Sequence, residues 1–424
     1  MTGDVDVAVV GAGAAGLAAG LRLREAGVRS VVLEAAGRTG GRAYTDTTSF
    51  DSPWDLGCHW LHSAETNPFV PIADRLGFTY RSSNAAILRR LHLTTHWASA
   101  AQAEDALASV DAAFDAIRAA GEAGQDVPAS EVLPASGPWA PLVRHWIGLM
   151  TASPPERVST RDFAAYADGH ENWPVLAGYG ALVRANAADL PVVLGCPVSH
   201  IDWSADGVRL ATPRGTVRAR AVIVTVSTAV IANERLTFTP ALPEPLMAAF
   251  HALPLGVSEK VAIGFDRDLF GVTERVGINT FDPARPDRMP VNFQIIPGPR
   301  PLVVAHMAGD PGGALVAEGA EAMAQFALDA IAAAFGTSVR AHVTGTVATG
   351  WVADPLIGGG YSGALPGAAV MRARLLDTLT TPLGARILFA GEAVSEHAFS
   401  TCHGAHLSGR TAADRAVSLL ELAA

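Results

Sequence analysis

Short apolar runs broken by glycine-rich turns mark the first part of the chain, and helical periodicity follows. Val7 to Val10 are continuously apolar, as in a strand buried on both faces. A glycine turn comes next, then Leu17, Leu21 and Leu23 in a predicted helix, then a second apolar run over 30–33 that ends on Glu34. Asn67-Pro68 reads as N-cap and first residue of a helix stopping near Gly77. Leu107, Val110, Phe114 and Ile117 recur at helical spacing within 99–121, with Gly121 as the stop. Residues 127–141, rich in Pro, Ser and Gly, predict a loop. Helices are predicted over 139–150 and 162–167, so the middle of the chain reads as a mainly helical insertion.

From Pro191 the pattern turns to strands, over 192–194, 198–203, 208–210, 216–220 and 221–226. Asp206-Gly207 and Pro213 to Gly215 supply turns between them. Further strands are predicted over 259–265, 291–296 and 302–307, then a helix over about 313–335 and a strand over 339–349. This order predicts a mixed sheet with helices. A last apolar run leads to Gly391 and Glu392, and a helix begins around Cys402. No internal repeat is visible.

The first turn, Gly11-Ala-Gly13-Ala-Ala15-Gly16, lies between a strand and a helix, and Glu34 follows 18 residues after Gly16. This is the order of a dinucleotide-binding unit. Gly11 makes the tight turn, Gly13 admits a pyrophosphate, and Gly16 lets helix and strand pack. The helix N-terminus offers unpaired N–H groups to phosphate, and Glu34 can accept bonds from a ribose diol. Gly37-Arg38-Thr-Gly40-Gly41-Arg42 then places two guanidinium groups where they can neutralise pyrophosphate.

Glu34 followed by Gly-Arg-x-Gly-Gly-Arg resembles the flavin amine oxidase superfamily, whose cofactor is FAD. Gly57, Trp60 and His62 in Gly57-Cys-His-Trp60-Leu-His62 resemble the segment that runs beneath the flavin ring in that family. Val198 matches a residue meeting adenine, although Ser227 stands where relatives often carry proline. Trp351 and the run from Gly358 to Gly367 resemble the crossing back to the flavin. Leu365 occupies the nearest match to the cysteine of covalent members, so the resemblance implies non-covalent FAD. Gly391-Glu392, and Thr401-Cys402 opening a helix, resemble the C-terminal flavin motif, with the helix N-terminus at the pyrimidine edge. The resemblance implies an α/β fold. A Rossmann-type FAD-binding domain would comprise 1–65, 188–240 and 368–424. A discontinuous α+β substrate domain with the helical insertion would comprise 66–187 and 241–367.

Composition changes this picture in two ways. A hydrophobic content of 49%, with 17% charged residues, describes a globular chain. No apolar stretch approaches the roughly 20 residues of a membrane span. The strand close to Met1 leaves no room for a signal peptide, and three scattered cysteines predict neither disulfides nor zinc. Cytoplasm is the expected compartment. The net charge of -10 disfavours nucleic acid. Of the 31 Lys and Arg residues, only Lys260 is lysine. A compact ammonium can hold a water where a planar guanidinium cannot.

In the superfamily, a lysine in the setting of Lys260-Val-x-x-x-Phe265 bonds through water to flavin N5, which implies that role for Lys260. The alternative is a surface lysine on an alternating strand. His62 matches a histidine of animal-type polyamine oxidases and can orient an amine or shuttle a proton, but is equally readable as structural. Tyr361 matches one of two aromatic walls beside the substrate. Ala398 and Thr401 occupy the matching positions of the other, and Phe399 is the neighbouring substitute. His403 and His406 lack a third ligand, so no metal site is expected. The function implied is oxidation of an amine substrate by FAD, with dioxygen as acceptor. A carbon–carbon desaturase and a non-catalytic binding protein are the alternatives.

Overall fold

Strand Gly215–Val224 organises an eight-stranded sheet. The computed structural model describes residues 4–82, 90–169 and 171–422. Residues 1–3 and 423–424, on which the readings of the chain ends partly rest, lie outside the described residues. Strands Asp4–Val10, Ser30–Leu33, Val192–Val193 and Ile387–Phe389 join Gly215–Val224 in parallel. The registers align Val10 with Leu33 and Val224, Leu33 with Val193, and Val224 with Phe389. One sheet edge therefore carries Gly11, Glu34, Thr225 and the approach to Gly391, although they are far apart in sequence. Ligands bind at such carboxyl ends in open α/β sheets. The arrangement is Rossmann-type.

Helix Ala14–Glu25 packs against helix Cys402–Leu422. A Cβ on Gly16 would lie 1.9 Å from the Gly11 carbonyl oxygen, and one on Gly409 would lie 2.1 Å from that of Ala15. Both positions therefore require glycine for close approach.

The sequence reading divides 216–226 into two strands, but the structure has one. Its first half pairs antiparallel with Val208–Thr212 and alternates between exposed and buried residues. Its second half pairs with Ile387–Phe389 and is continuously buried. The change in pattern marks a change of neighbour, not a break.

A six-stranded sheet contains, in spatial order, Val343–Ala348, Ser258–Phe265, Leu302–Ala308, Val291–Ile296, Val276–Thr280 and Leu91–His92. One face packs with Met323, Ala327 and Ile331 of helix Ala320–Phe335. The long helix predicted over 313–335 is two helices, Gly309–Glu318 and Ala320–Phe335, divided at Gly319 with φ of 101°. The front of the predicted 339–349 strand belongs to the 3-10 helix Thr337–His342. Strand Val276–Thr280 was missed because it has few apolar positions, and Leu91–His92 is a strand only through its pairing.

The helical insertion is built from Ala100–Glu122, Ala140–Thr151 and Thr160–Ala165. The Ser99 side chain accepts from Gln102 N while the Gln102 side chain accepts from Ser99 N. This capping box fixes the start of the longest helix. Helix Phe69–Leu76 begins just after Pro68 and ends on left-handed Gly77, one residue later at its start than expected.

Candidate active site

A cavity of about 680 Å³ runs from the glycine turn at the first sheet to the second sheet and the helical insertion. Its volume falls within the roughly 300–1,000 Å³ range of ligand sites. Gly11, Gly13, Ala15, Glu34, Arg38, Gly40, Gly41 and Arg42 line its first end, together with Val198. Gly57, Trp60, His62, Lys260, Trp351, Tyr361, Gly391, Glu392, Thr401 and Cys402 line its continuation. Of the expected cofactor-binding residues, Gly16 alone stands off the wall, behind the turn it permits.

The first end has the chemistry of a dinucleotide cradle. Gly13 is the N-cap of helix Ala14–Glu25 and supplies no side-chain cap, so the helix end faces the cavity with its N–H groups uncovered. Glu34 braces the turn, accepting from Ala12 N at 2.6 Å and Ala36 N at 2.7 Å. Gly40 N donates to Ala12 O at 2.8 Å and joins the two glycine loops. Arg38 donates to Gly41 O at 2.9 Å and lies 4.1 Å over the Tyr44 ring. Burial lowers its pKa, and the fields of Tyr44 and Glu34 oppose that shift. An uncapped helix end, an acid at the neighbouring strand end and a guanidinium fit an adenine dinucleotide.

Arg42 is placed differently from the expectation that it neutralises pyrophosphate. Its Nη1 donates to Gly360 O at 2.5 Å and to Glu392 Oε1 at 3.1 Å. Glu392 also accepts from Ser362 Oγ at 2.7 Å and from Ser400 N at 3.1 Å. Arg42 and Glu392 thus tie three distant segments together at the middle of the cavity. Glu392 opens a 3-10 turn after the strand.

The segment beneath the expected ring is held by its carbonyls. Lys260 Nζ donates to Asp55 O at 2.9 Å and Gly57 O at 2.5 Å, and Trp351 Nε1 donates to Leu56 O at 3.0 Å. Three successive carbonyls are therefore capped by two side chains. Lys260 Nζ also lies 3.1 Å from His59 Nδ1. An ammonium has three protons, so a bridging water at Lys260 must exchange with one of these contacts. Burial lowers the Lys260 pKa to about 8, and the field of Asp55 opposes that shift.

His62 Nδ1 lies 2.6 Å from Asn172 Oδ1, so Nδ1 is the donor and Nε2 the acceptor. Burial lowers its pKa and the bond to Asn172 opposes the shift. The Tyr361 hydroxyl donates to Leu149 O, which anchors the ring as a wall. Its pKa is raised to about 12 by burial. Phe399 also lines the cavity, 5.6 Å from Tyr166 between centroids, with Arg372 at 3.8 Å from its ring. Ala398 is off the cavity wall, and so is Leu365. Leu365 is held by a bond from its N–H to Ala252 O at 3.0 Å.

Tyr166, Trp146, His306, Arg275 and Asn292 line the cavity without having been expected there. They lie on the helical insertion and the second sheet, and only tertiary packing brings them in. Alternation of polar with apolar residues along 291–296 was the available signal. Among the described residues, no group of three His, Cys, Asp or Glu side chains could hold a metal. No described helix is long and apolar enough to cross a membrane.

The model of the flavin containing amine oxidoreductase family matches residues 14–132 and 144–417. Among curated proteins, probable polyamine oxidase 4 of Arabidopsis thaliana is 28% identical over 96% of this chain and 86% of its own. Lysine-specific histone demethylase 2 of Homo sapiens is 26% identical over 95% of this chain, which spans 52% of that protein. Among solved structures, cyclohexylamine oxidase from Brevibacterium oxydans IH-35A superposes with a TM-score of 0.82 at 21% identity, covering 99% and 100% of the two chains. A wild-type putrescine oxidase bound to putrescine gives 0.81 at 20%, with the same coverage. These two share the fold. With the family matched along most of its length, and a dinucleotide cradle at one end of its cavity, the chain belongs to the flavin-containing amine oxidoreductases, FAD-dependent enzymes that oxidise amines.

Proposed function

We propose that the protein is an oxidase of a primary or secondary amine, including the polyamine class, that uses dioxygen as acceptor. One observation carries this reading: a single cavity joins the dinucleotide cradle to a chamber walled by Tyr361, Phe399 and Tyr166. In this reading, 1–65, 188–240 and 368–424 form the FAD-binding domain. Residues 66–187 and 241–367 form the substrate domain. A cytoplasmic location, in keeping with three free thiols, is part of the same proposal.

FAD, when bound, would supply the two-electron acceptor for conversion of the amine to an imine, which water hydrolyses, with dioxygen as the final oxidant leaving as peroxide. The chain supplies position and polarity. Gly11, Gly13, Ala15, Gly16 and the uncovered helix end receive the pyrophosphate. Glu34 would take the ribose, Val198 would lie at the adenine, and Arg38, Gly40 and Gly41 would complete the cradle, while Arg42 braces the middle of the cavity through Gly360 and Glu392. Gly57, Trp60 and Trp351 would form the bed that holds the ring, and Gly391, Glu392, Thr401 and Cys402 would complete it. Lys260 fixes that bed and exchanges its His59 contact for the water at the reacting position. His62, neutral and accepting at Nε2, takes an amine N–H and keeps the nitrogen lone pair available. Tyr361 and Phe399 hold the substrate carbon between rings, without donating to it.

Anaerobic mixing of purified holoenzyme with panels of amines and apolar alkenes tests this. Bleaching of the yellow colour by amines is the expected outcome. Bleaching by alkenes alone would assign a carbon–carbon desaturase instead.

A further inference from the structure

Lys260, the only lysine among the 31 Lys and Arg residues, is 7% exposed. Its ammonium has three protons and no acceptor capacity. Two of the three groups within its reach are carbonyls of the bed, Asp55 O at 2.9 Å and Gly57 O at 2.5 Å. The third is a side chain, His59 Nδ1 at 3.1 Å. That contact is a hydrogen bond only where Nδ1 carries no proton, so the ring must be neutral with its proton on Nε2. Burial holds the imidazole neutral, and the charge of Lys260 adds to the effect.

The second sheet fixes what surrounds this ring. Strand Ser258–Phe265 pairs with Leu302–Ala308 so that Lys260 lies opposite His306, and side chains directly opposite share a face. The rings of His306 and His59 meet edge to face, 5.2 Å apart between centroids. Among the described residues, Nε2 of His59, Nε2 of His306 and Nε1 of Trp54 are buried without a hydrogen-bond partner. These three residues and Arg275 border a small void of about 10 Å³, separate from the main cavity. A void of that size and polarity takes one water. A water there accepts from His59 Nε2, which keeps the proton on that nitrogen and leaves Nδ1 for the ammonium. The opposite tautomer would set an N–H against a cation, an arrangement with no acceptor between two buried donors.

The groups around the ammonium pull both ways. Burial lowers the Lys260 pKa to about 8, Asp55 and Cys58 oppose the shift, and Arg275 adds to it. His306 contributes no charge, because burial and then Lys260 hold its ring neutral. A lysine balanced in this way loses its charge just above neutral pH, and one acceptor more or fewer moves that point. A neutral imidazole suits the position. A carboxylate there would pin the ammonium as an ion pair, whereas a neutral ring accepts one proton and can release it.

We propose that His59 is a positioning residue for Lys260, its Nδ1 holding the third ammonium proton in the resting enzyme. The contact keeps the one lysine of the chain charged and aimed along the bed until that proton is exchanged for the water at the reacting position. His59 acts through Lys260 in this role. The inference goes beyond the amine-oxidation reading, since it holds whichever donor is oxidised.

A single lysine makes the test direct. Holoenzyme grown with lysine labelled with 13C at Cε carries one labelled side chain, and its carbon chemical shift is followed against pH by NMR. Lys260 of the wild type should titrate near 8. His59→Phe keeps a ring and removes the acceptor, and should lower that midpoint by about one pH unit. His59→Leu repeats the measurement without the ring, so a variant that loses FAD does not leave the question open. His59→Asn places an amide oxygen near the site of Nδ1 and should recover about half of the loss. A midpoint unchanged or raised in the variants without an acceptor would overturn the proposal. An equal fall in His59→Asn would also overturn it, by making the ring a packing element. No amine is added, so these results stand apart from the anaerobic titration that tests the reaction.

Discussion

Asp162 and Arg372, 210 residues apart, form a two-pronged buried ion pair with both nitrogen–oxygen distances at 2.8 Å. Their side chains are 7% and 5% exposed. Asp162 also accepts from Ala364 N, and Arg372 donates to Ala393 O while covering the Phe399 ring. The pair therefore locks the helical insertion onto the loops that frame the substrate chamber. Asp162→Ala leaves the guanidinium buried and unpaired, and is expected to cost about 3–5 kcal/mol. Denaturant unfolding of the FAD-loaded protein measures this.

Lys260→Met keeps a long unbranched side chain, but leaves the carbonyls of Asp55 and Gly57 without their donor. FAD should still bind. Both half-reactions should slow, by about tenfold for each 1.4 kcal/mol of transition-state stabilisation lost. Lys260→Arg should rescue little, because a planar guanidinium does not reproduce the three contacts of the ammonium. Stopped-flow absorbance of reduction and reoxidation tests this, and unimpaired rates would return Lys260 to a structural role.

His62→Ala removes the acceptor at Nε2 and should reduce amine turnover more than FAD content. Asn172→Ala should act in the same direction more weakly, since it removes the bond that sets the tautomer and leaves the imidazole in place. Loss of flavin with normal turnover per remaining flavin would make His62 a packing residue.

Acid precipitation should release the yellow colour into the supernatant. Leu365 stands where covalent relatives carry cysteine, and it lies off the cavity wall. A coloured pellet would show a covalent bond.

Acid should unfold the protein through its buried imidazoles. Burial holds His145 at about 3 and both His403 and His406 at about 4. Below pH 6.5 the unfolded chain binds protons that these folded sites refuse. Stability therefore falls as pH drops, by up to about 1.4 kcal/mol per unit for each site, until the folded pKa is reached. Among the described residues, His145 has no hydrogen-bond partner at either ring nitrogen. His145→Phe should make the melting temperature fall less steeply between pH 6.5 and 4 than in the wild type.

The local sequence determined what depends on near neighbours. The turn from Gly11 to Gly16, Glu34 at the end of its strand and the capping box at Ser99 are legible because each requires particular residue types at short spacing. The cofactor end of the cavity could be read for that reason, since consecutive residues build most of it. The substrate end could not. His306 and Asn292 come from different strands that pair across the sheet, and Arg275 immediately precedes a third. Trp146 arrives on a helix and Tyr166 just past the end of another, in an insertion whose position depends on contacts such as Asp162 with Arg372. The continuity of Gly215–Val224 and the commitment of Arg42 to Glu392 were hidden for the same reason. Each depends on a partner more than a hundred residues away, and periodicity within one segment carries no information about such a partner.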